Sequence, residues 1–163
     1  MSRKRLLYGL LFYALVGFPL NAATVSFLII ETGLPSRAPA NPHSINWENG
    51  LFDVFFEQGH IVSNAPMMRL PEKPAGDLPD EAEGEFMVAQ EGGVEFFIIA
   101  LLEFSPLRGM ELAKPHNVSL RLFRITPLTL IYEQQYSDNT PRPAREEYDA
   151  LKKTVLGLVA HLY

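Results

Sequence analysis

Continuous and alternating apolar runs along the chain predict the strands of a sheet. Residues 24–31, TVSFLIIE, are apolar and rich in β-branched side chains, which indicates a buried strand. Residues 94–104, VEFFIIALLEF, are the most apolar run beyond the amino terminus and predict a central strand. A Thr126-Pro127 turn separates the last two runs, which indicates a hairpin. The predicted strands are 24–31, 60–68, 94–104, 117–125 and 128–137.

Apolar residues at helical spacing predict three helices. The first begins with Ser44 as its N-cap and ends with Gly59 at the C′ position. A weaker helix spans about residues 79–90, and a final helix opens with Thr140 as its cap and Pro141 at its first position. The apolar faces of the first and last helices consist of Trp47, Leu51, Phe52, Phe55 and Phe56, and of Tyr148, Leu151, Val155, Leu158 and Leu162. The order β-α-β-α-β-β-β-α predicts an α/β fold in which helices pack on a mixed β-sheet.

The amino terminus has the layout of a secretory signal. Three basic residues in MSRKR precede the apolar run LLYGLLFYALVGFPL, and small residues allow cleavage after Ala22 or Ala23. The alternative is an uncleaved membrane anchor within residues 6–30, which carry no charge and are long enough to span a bilayer. Either interpretation predicts an exported protein, with residues 1–23 as the signal or anchor and residues 24–163 as a single α/β domain.

Composition and charge exclude several classes of function. The chain has no cysteine, which excludes disulfides, thiolate catalysis, zinc–thiolate sites and lipidation at a cysteine after the signal. Without the three basic residues of the signal, 11 of the 14 Lys and Arg residues remain against 19 Asp and Glu residues. A domain with this acidic balance is poorly suited to nucleic acid or to anionic lipid. A cysteine-free exported chain of this size is typical of the bacterial periplasm.

In the order of its elements and in several short sequence patterns, the chain resembles a group of bacterial envelope domains. The patterns are the strand TVSFLIIE, an aromatic-faced helix closing on Gly59, the step AQEGGVEFFIIALLEF and the hairpin VSLRLFRITPLTLIYEQQY. The group includes the curli-secretion lipoprotein CsgG, the flagellar protein FlgO, the activator LpoB and the N-terminal domain of TolB. The resemblance covers residues 24–163 and departs from the group's usual patterns at residues 92–95 and 125–128. It implies a non-catalytic envelope module that docks onto other proteins.

Three residues with side chains suited to metal binding or acid–base catalysis lie at the end of the first predicted helix. Asp53 and Glu57 share a helix face at i and i+4, and His60 follows one glycine turn later. These three could hold a hard metal ion or supply a general base. No HExxH motif, nearby second histidine or paired aspartate loop accompanies them, so a helix end capped at Gly59 is the favoured interpretation. No catalytic residue, metal ligand or cofactor is predicted.

The leading hypothesis is therefore an exported, non-catalytic adaptor or accessory domain that binds an envelope protein partner. Loops carry recognition on such scaffolds, and the proline-rich segments 35–42 and 66–79 are the expected contact regions. The partner-binding residues predicted within the second segment are Pro66, Met67, Met68 and Arg69. The alternative is a periplasmic small-ligand binder with an aromatic pocket. The residues predicted to line that pocket are Trp47, Phe52 and Phe56.

Glu103 and Arg121 are expected to face each other across an antiparallel pair of strands, as a structural ion contact. The sequence leaves the identity of the partner and the oligomeric state open.

Overall fold

Six strands and three α-helices make up the described part of the chain, residues 22–37, 39–105, 114–137 and 143–163 of a computed structural model. The strands are β1 (Thr24–Thr32), β2 (Ile61–Asn64), β3 (Met68–Leu70), β4 (Phe96–Glu103), β5 (Asn117–Arg124) and β6 (Thr129–Tyr136). The helices are α1 (Pro42–Glu57), α2 (Glu83–Glu91) and α3 (Ala144–Val159), and a 3-10 turn, Asp80–Ala82, precedes α2. The predicted α/β fold with a mixed sheet is confirmed. Residues 1–21 of the predicted signal and the predicted Thr140-Pro141 cap lie outside the described residues.

The strand β1 lies at the centre of the parallel half of the sheet, whose order is β2-β1-β4-β5-β6. On one side β2 and β3 pair with successive parts of β1, and on the other side β4 pairs with it from Val25–Phe96 to Thr32–Glu103. The hairpin of β5 and β6 continues the sheet in antiparallel fashion. The single strand predicted at 60–68 is thus two short strands, because Pro66 between them has no N–H to donate to the ladder.

The ends of α1 follow from its local sequence. The N-cap is Asn41, whose Oδ1 accepts a hydrogen bond of 2.8 Å from the His43 N–H, so the prediction of Ser44 as the cap is wrong. Pro42 explains the difference, because its fixed φ suits the first helical position and leaves the preceding asparagine to cap. Gly59 has a φ of +85° just after the helix, which confirms its predicted role at the carboxyl end.

Helices cover both faces of the sheet. On one face α1 and α3 pack over Phe27 and Ile98, with Leu51 of α1 in the same core. On the other face α2 packs over Leu28 through Phe86. The chain therefore runs from β1 through α1 to β2 over one face, and from β3 through α2 to β4 over the other. In α/β proteins such a change of direction marks the carboxyl edge where ligands commonly bind.

Backbone contact fills that carboxyl edge between β1 and β4. Gly33 has a φ of +79°, and a Cβ atom there would lie 2.0 Å from the Phe104 carbonyl oxygen. The Phe104 N–H also donates to the Thr32 carbonyl oxygen at 3.0 Å. Beside this contact, the buried carboxylate of Glu31 is engaged by Arg69. The carboxyl edge of the sheet is therefore closed between β1 and β4.

Candidate interaction surface

Exposed apolar side chains form a strip along α1 and the start of β2. Phe52 and Phe56 are 40% and 64% exposed, and their rings stack with centroids 6.0 Å apart and an interplanar angle of 19°. Ile45 on α1 and Ile61 on β2 are also exposed, and Ile61 reaches 64%. We call these four residues, Ile45, Phe52, Phe56 and Ile61, the aromatic strip. A helix that buries one apolar face and exposes a second one presents a surface suited to binding.

Hydrogen bonds fix which side of α1 carries the aromatic strip. Glu48 Oε1 accepts a hydrogen bond of 2.6 Å from Asn64 Nδ2, so this side of the helix lies over β2. Ile45 precedes Glu48 by three positions and Phe52 follows it by four, and residues at these spacings share a side of a helix. The opposite side of α1 contacts α3. The aromatic strip therefore lies on the side of α1 toward β2, which is an edge strand of the sheet.

The three residues considered as a possible metal or general-base site each bind a different part of the fold. Asp53 accepts a hydrogen bond of 2.7 Å from Tyr148 Oη, and the Glu57 carboxylate binds Lys152 Nζ at 2.7 and 2.8 Å. His60 is buried, and its Nδ1 accepts a hydrogen bond of 3.2 Å from the Ala23 N–H. Two of the three residues thus join α1 to α3, and the third holds the start of β1. Among the described residues no group of histidines and carboxylates has the arrangement of a metal site.

The ionisation of these groups reflects the same contacts. Burial and the hydrogen bond to Asp53 raise the pKa of Tyr148 above its ordinary value. The hydrogen bond to Glu57 raises the pKa of Lys152, so this lysine stays charged over a wide pH range. Burial lowers the pKa of His60, which keeps its ring neutral and able to accept the Ala23 N–H.

The aromatic residues predicted to line a ligand pocket lie in two different places. Trp47 is buried in the core between α1 and the sheet, where its ring meets that of Tyr136 edge to face at 6.0 Å. Phe52 and Phe56 lie on the outer surface instead. The structure therefore does not bring Trp47 together with the other two, and neither of the two large cavities has any of the three in its lining.

The four residues predicted for partner contact differ in exposure. Pro66 is exposed, whereas Met67 and Met68 are half-buried against the two opposite cores. Arg69 donates from Nε to Glu31 Oε2 at 2.8 Å and from Nη1 to the Pro35 carbonyl oxygen at 3.2 Å. Arg69 thus ties β3 to β1 and to the loop that follows β1.

The rest of the segment 66–79 is held against the sheet by charged side chains. Lys73 Nζ binds Glu103 Oε1 at 2.8 Å, and Arg121 Nη1 donates to the carbonyl oxygens of Gly76 and Asp77 at 2.7 and 3.0 Å. The predicted contact between Glu103 and Arg121 is wrong. The register places Asn117 opposite Glu103, and Arg121 binds Glu133 on β6 at 3.0 Å.

Two large cavities lie elsewhere on the described surface. The larger is a groove of about 1000 Å³ that follows α3. Its lining includes Tyr136 of β6, Lys153 and Leu156 of α3, and Gln58 at the end of α1. The smaller, of about 540 Å³, lies where the chain enters β1 and includes Ala22, Glu95 and Arg124.

The sequence predicts one broad apolar face of α1, on which Phe52 and Phe56 lie together with the other apolar residues of the helix. The helix in fact carries two apolar stripes: Trp47, Leu51 and Phe55 face the sheet, whereas Ile45, Phe52 and Phe56 face outward. Ile45, Phe52 and Phe56 of the outer stripe recur at i, i+7 and i+11. The two stripes together make an apolar face wider than a single buried stripe, and this width was the only sign of the outer stripe in the sequence.

Comparison with known proteins gives a likeness of fold. No family model and no curated protein matches the chain. A dodecamer of a PelC variant from Paraburkholderia phytofirmans has a TM-score of 0.50 and 10% identity, over 83% of this chain and 86% of that one. A PelC dodecamer from the same organism in a second crystal form has a TM-score of 0.46 and 10% identity, over 86% and 87% of the two chains. Within the described residues, no helix combines the length and apolar character needed to cross a membrane.

Proposed function

We propose that this protein is an exported, non-catalytic accessory protein of the bacterial cell envelope, which binds protein partners and other copies of itself. The observation that carries the proposal is the aromatic strip. Its stacked Phe52 and Phe56 rings lie outside both cores of the fold. Covering the exposed parts of these two rings removes apolar surface from water and so favours association.

The surroundings of the strip resemble those of a protein contact more than those of a ligand pocket. Asn49 lies on α1 between Ile45 and Phe52 and is exposed, and Glu48 stands beside them. An apolar centre with a polar rim is the usual anatomy of a protein interface. The strip is convex, since it lies on the outside of a helix, and a small ligand needs a concave site.

The envelope location is supported by the amino-terminal sequence and by the absence of cysteine. The resemblance to the CsgG, FlgO, LpoB and TolB group supports the same location and stays a prediction. Self-association is supported by the PelC dodecamer, a solved assembly whose subunit shares this fold. A role without catalysis is supported by Asp53, Glu57 and His60, because each is bound to a structural partner.

The absence of cysteine allows a direct test by site-specific cross-linking in cells. Asn49→Cys places one thiol within the strip, and Leu128→Cys places one at the exposed hairpin turn as a matched control. After treatment with a thiol-reactive photo-cross-linker, we expect the protein in the envelope fraction and adducts with protein from Asn49→Cys alone. Addition of Phe52→Ser and Phe56→Ser should remove these adducts without altering the location.

Two results would contradict the proposal, and they are distinct. Retention of the wild-type protein in the cytoplasm would overturn the envelope location. Equal cross-linking from both thiols, or adducts that survive Phe52→Ser and Phe56→Ser, would overturn the assignment of the strip as the contact surface.

A further inference from the structure

We infer that the secretory signal is removed by hydrolysis of the Ala22–Ala23 peptide bond, so that the mature protein begins at Ala23. The inference rests on the export proposed above and names the bond that is cut. The sequence leaves two bonds open, because Ala22 and Ala23 each supply the small residue that precedes a cut. The third residue before the cut is Leu20 in one case and Asn21 in the other, and neither is of the alanine type that such sites prefer.

Ala23 belongs to the folded domain, whereas Ala22 is exposed at its start. The Ala23 side chain is 4% exposed and lies in the core between the sheet and α1. Its carbonyl oxygen accepts a hydrogen bond of 3.0 Å from the Ile61 N–H, where the pairing of β1 with β2 begins. Its N–H donates to His60 Nδ1 at 3.2 Å. The boundary of the domain therefore falls between Ala22 and Ala23.

The chemistry of the cut favours the bond at this boundary. Water adds to the carbonyl carbon of the residue before the cut and the C–N bond breaks, which leaves a carboxylate on that residue and a protonated amino group on the next. For a cut after Ala23, the attacked carbonyl is the one bonded to Ile61, and the side chain that the peptidase must bind is buried. For a cut after Ala22, both groups belong to an exposed residue. The fold thus protects the bond after Ala23 and presents the bond before it.

The stability of the product points to the same bond. Removal of Ala23 would take a methyl group from the core and would take from the buried His60 Nδ1 the donor that it now has. In return, the new amino group of Thr24 would place a charge 2.9 Å from Glu95 Oε2, to which the Thr24 N–H already donates. That contact is exposed, and exposed ion pairs contribute little to stability. A chain that begins at Ala23 keeps the contacts with His60 and Ile61.

A terminal amino group on Ala23 has an acceptor and open space beside it. The group keeps a hydrogen to donate to His60 Nδ1. The cavity of about 540 Å³ lies at this point, and Ala22, Ala23 and Glu95 belong to its lining. Solvent in this cavity and the Glu95 carboxylate reduce the cost of placing a positive charge at the edge of the core.

Two single substitutions distinguish the two bonds. For a cut after Ala22, Ala22→Tyr replaces the residue directly before the cut, which must be small, and Asn21→Tyr replaces the tolerant residue before that. For a cut after Ala23 the roles change, because Ala22 is then the tolerant residue and Asn21 the third one before the cut. Full-length wild type and both variants are expressed in a bacterium and the cells are fractionated. Intact-mass spectrometry and amino-terminal sequencing identify the first residue of each product.

We expect wild type and Asn21→Tyr to give a mature chain that begins at Ala23, heavier by one alanine residue than a chain that begins at Thr24. Ala22→Tyr should give no chain that begins at Ala23 and should accumulate as the precursor. Because Ala22 is exposed, the added ring does not disturb the folded domain, so the loss of processing reports on the cut itself.

Three results would overturn the inference. A wild-type chain that begins at Thr24, with processing retained in Ala22→Tyr and lost in Asn21→Tyr, would show that the other bond is cut while export stands. A full-length wild-type chain in the envelope fraction would show that no bond is cut, and the proposed location would again stand. A full-length wild-type chain in the cytoplasm would overturn the proposed export as well.

Discussion

Tyr148 Oη donates a hydrogen bond of 2.7 Å to Asp53 Oδ2 and joins α3 to α1. The ion pair between Lys152 and Glu57 continues the same contact one turn further along both helices. Both bonds lie on the side of α1 that faces α3, and the aromatic strip lies on a different side of the same helix.

Replacement of Tyr148 by Phe removes that bond and keeps the ring. We expect the free energy of unfolding at pH 7 to fall by about 1–2 kcal/mol, because Asp53 loses a donor at a half-buried position. Urea denaturation followed by circular dichroism measures the change. An unchanged midpoint would show that the bond does not contribute to the packing of α3 on α1.

Tyr148 also predicts how stability changes at alkaline pH. The pKa of Tyr148 is raised above the ordinary value of 10.0 by burial and by Asp53. In the unfolded chain the phenol ionises near pH 10, whereas in the folded chain it keeps its proton. Stability is therefore complete below pH 10 and is lost as pH rises above it. Tyr148→Phe should flatten this decline in urea denaturation at pH 9 to 11, and an unchanged slope would contradict the assignment.

The ion pair of Glu31 and Arg69 predicts an asymmetry between single and double variants. Glu31 is only 1% exposed, so Arg69→Met leaves a buried carboxylate without its cation. We expect a loss of about 3–5 kcal/mol for the single change. Glu31→Leu combined with Arg69→Met should recover most of that loss in thermal or chemical denaturation. A double variant as unstable as the single one would show that the two residues do not act as a pair.

Two glycines with similar backbone angles provide a matched comparison. Gly33→Ala places a methyl group 2.0 Å from the Phe104 carbonyl oxygen, whereas at Gly76 the nearest atom would be 3.9 Å away. Both have φ near +79° and +78°, and an alanine there costs about 1–2 kcal/mol. Gly33→Ala should cost clearly more, because β1 and β4 must also separate. Equal losses of unfolding free energy would contradict the close approach at the end of β1.

His60 predicts a loss of stability in mild acid. Burial lowers the pKa of His60 below 6.5, so the unfolded chain binds a proton that the folded chain does not. Stability should be complete above pH 6.5 and decline as pH falls toward the lowered pKa. His60→Gln keeps an acceptor for the Ala23 N–H and should reduce the slope between pH 5 and 6.5. The measurement is urea denaturation over that range, and parallel curves for the two proteins would refute it.

The sequence predicts the central strands well because their signal is local. Residues of β1 and β4 are buried on both faces, which leaves continuous apolar runs. The separation of β2 from β3 depends on Pro66 and on pairing with β1, and a run of apolar residues does not reveal it. The predicted pairing of Glu103 with Arg121 is wrong because the register between β4 and β5 depends on the whole strand pair and not on either residue.

The sequence could not predict the exposure of the aromatic strip, for a related reason. Periodicity identifies the apolar positions of α1 but does not show which of them a neighbouring element covers. That depends on where α3 packs, a contact between residues 95 positions apart in the chain. Phe52 and Phe56 therefore look like core residues in the sequence and lie outside in the fold.

The central claim is that the aromatic strip mediates association, and sedimentation equilibrium of the purified protein tests it most directly. We expect wild type to show a concentration-dependent mass that is a multiple of the single chain, and the Phe52→Ser, Phe56→Ser variant to remain a monomer with unchanged melting temperature. A wild-type protein that stays monomeric, or a variant that associates as wild type does, would contradict the account.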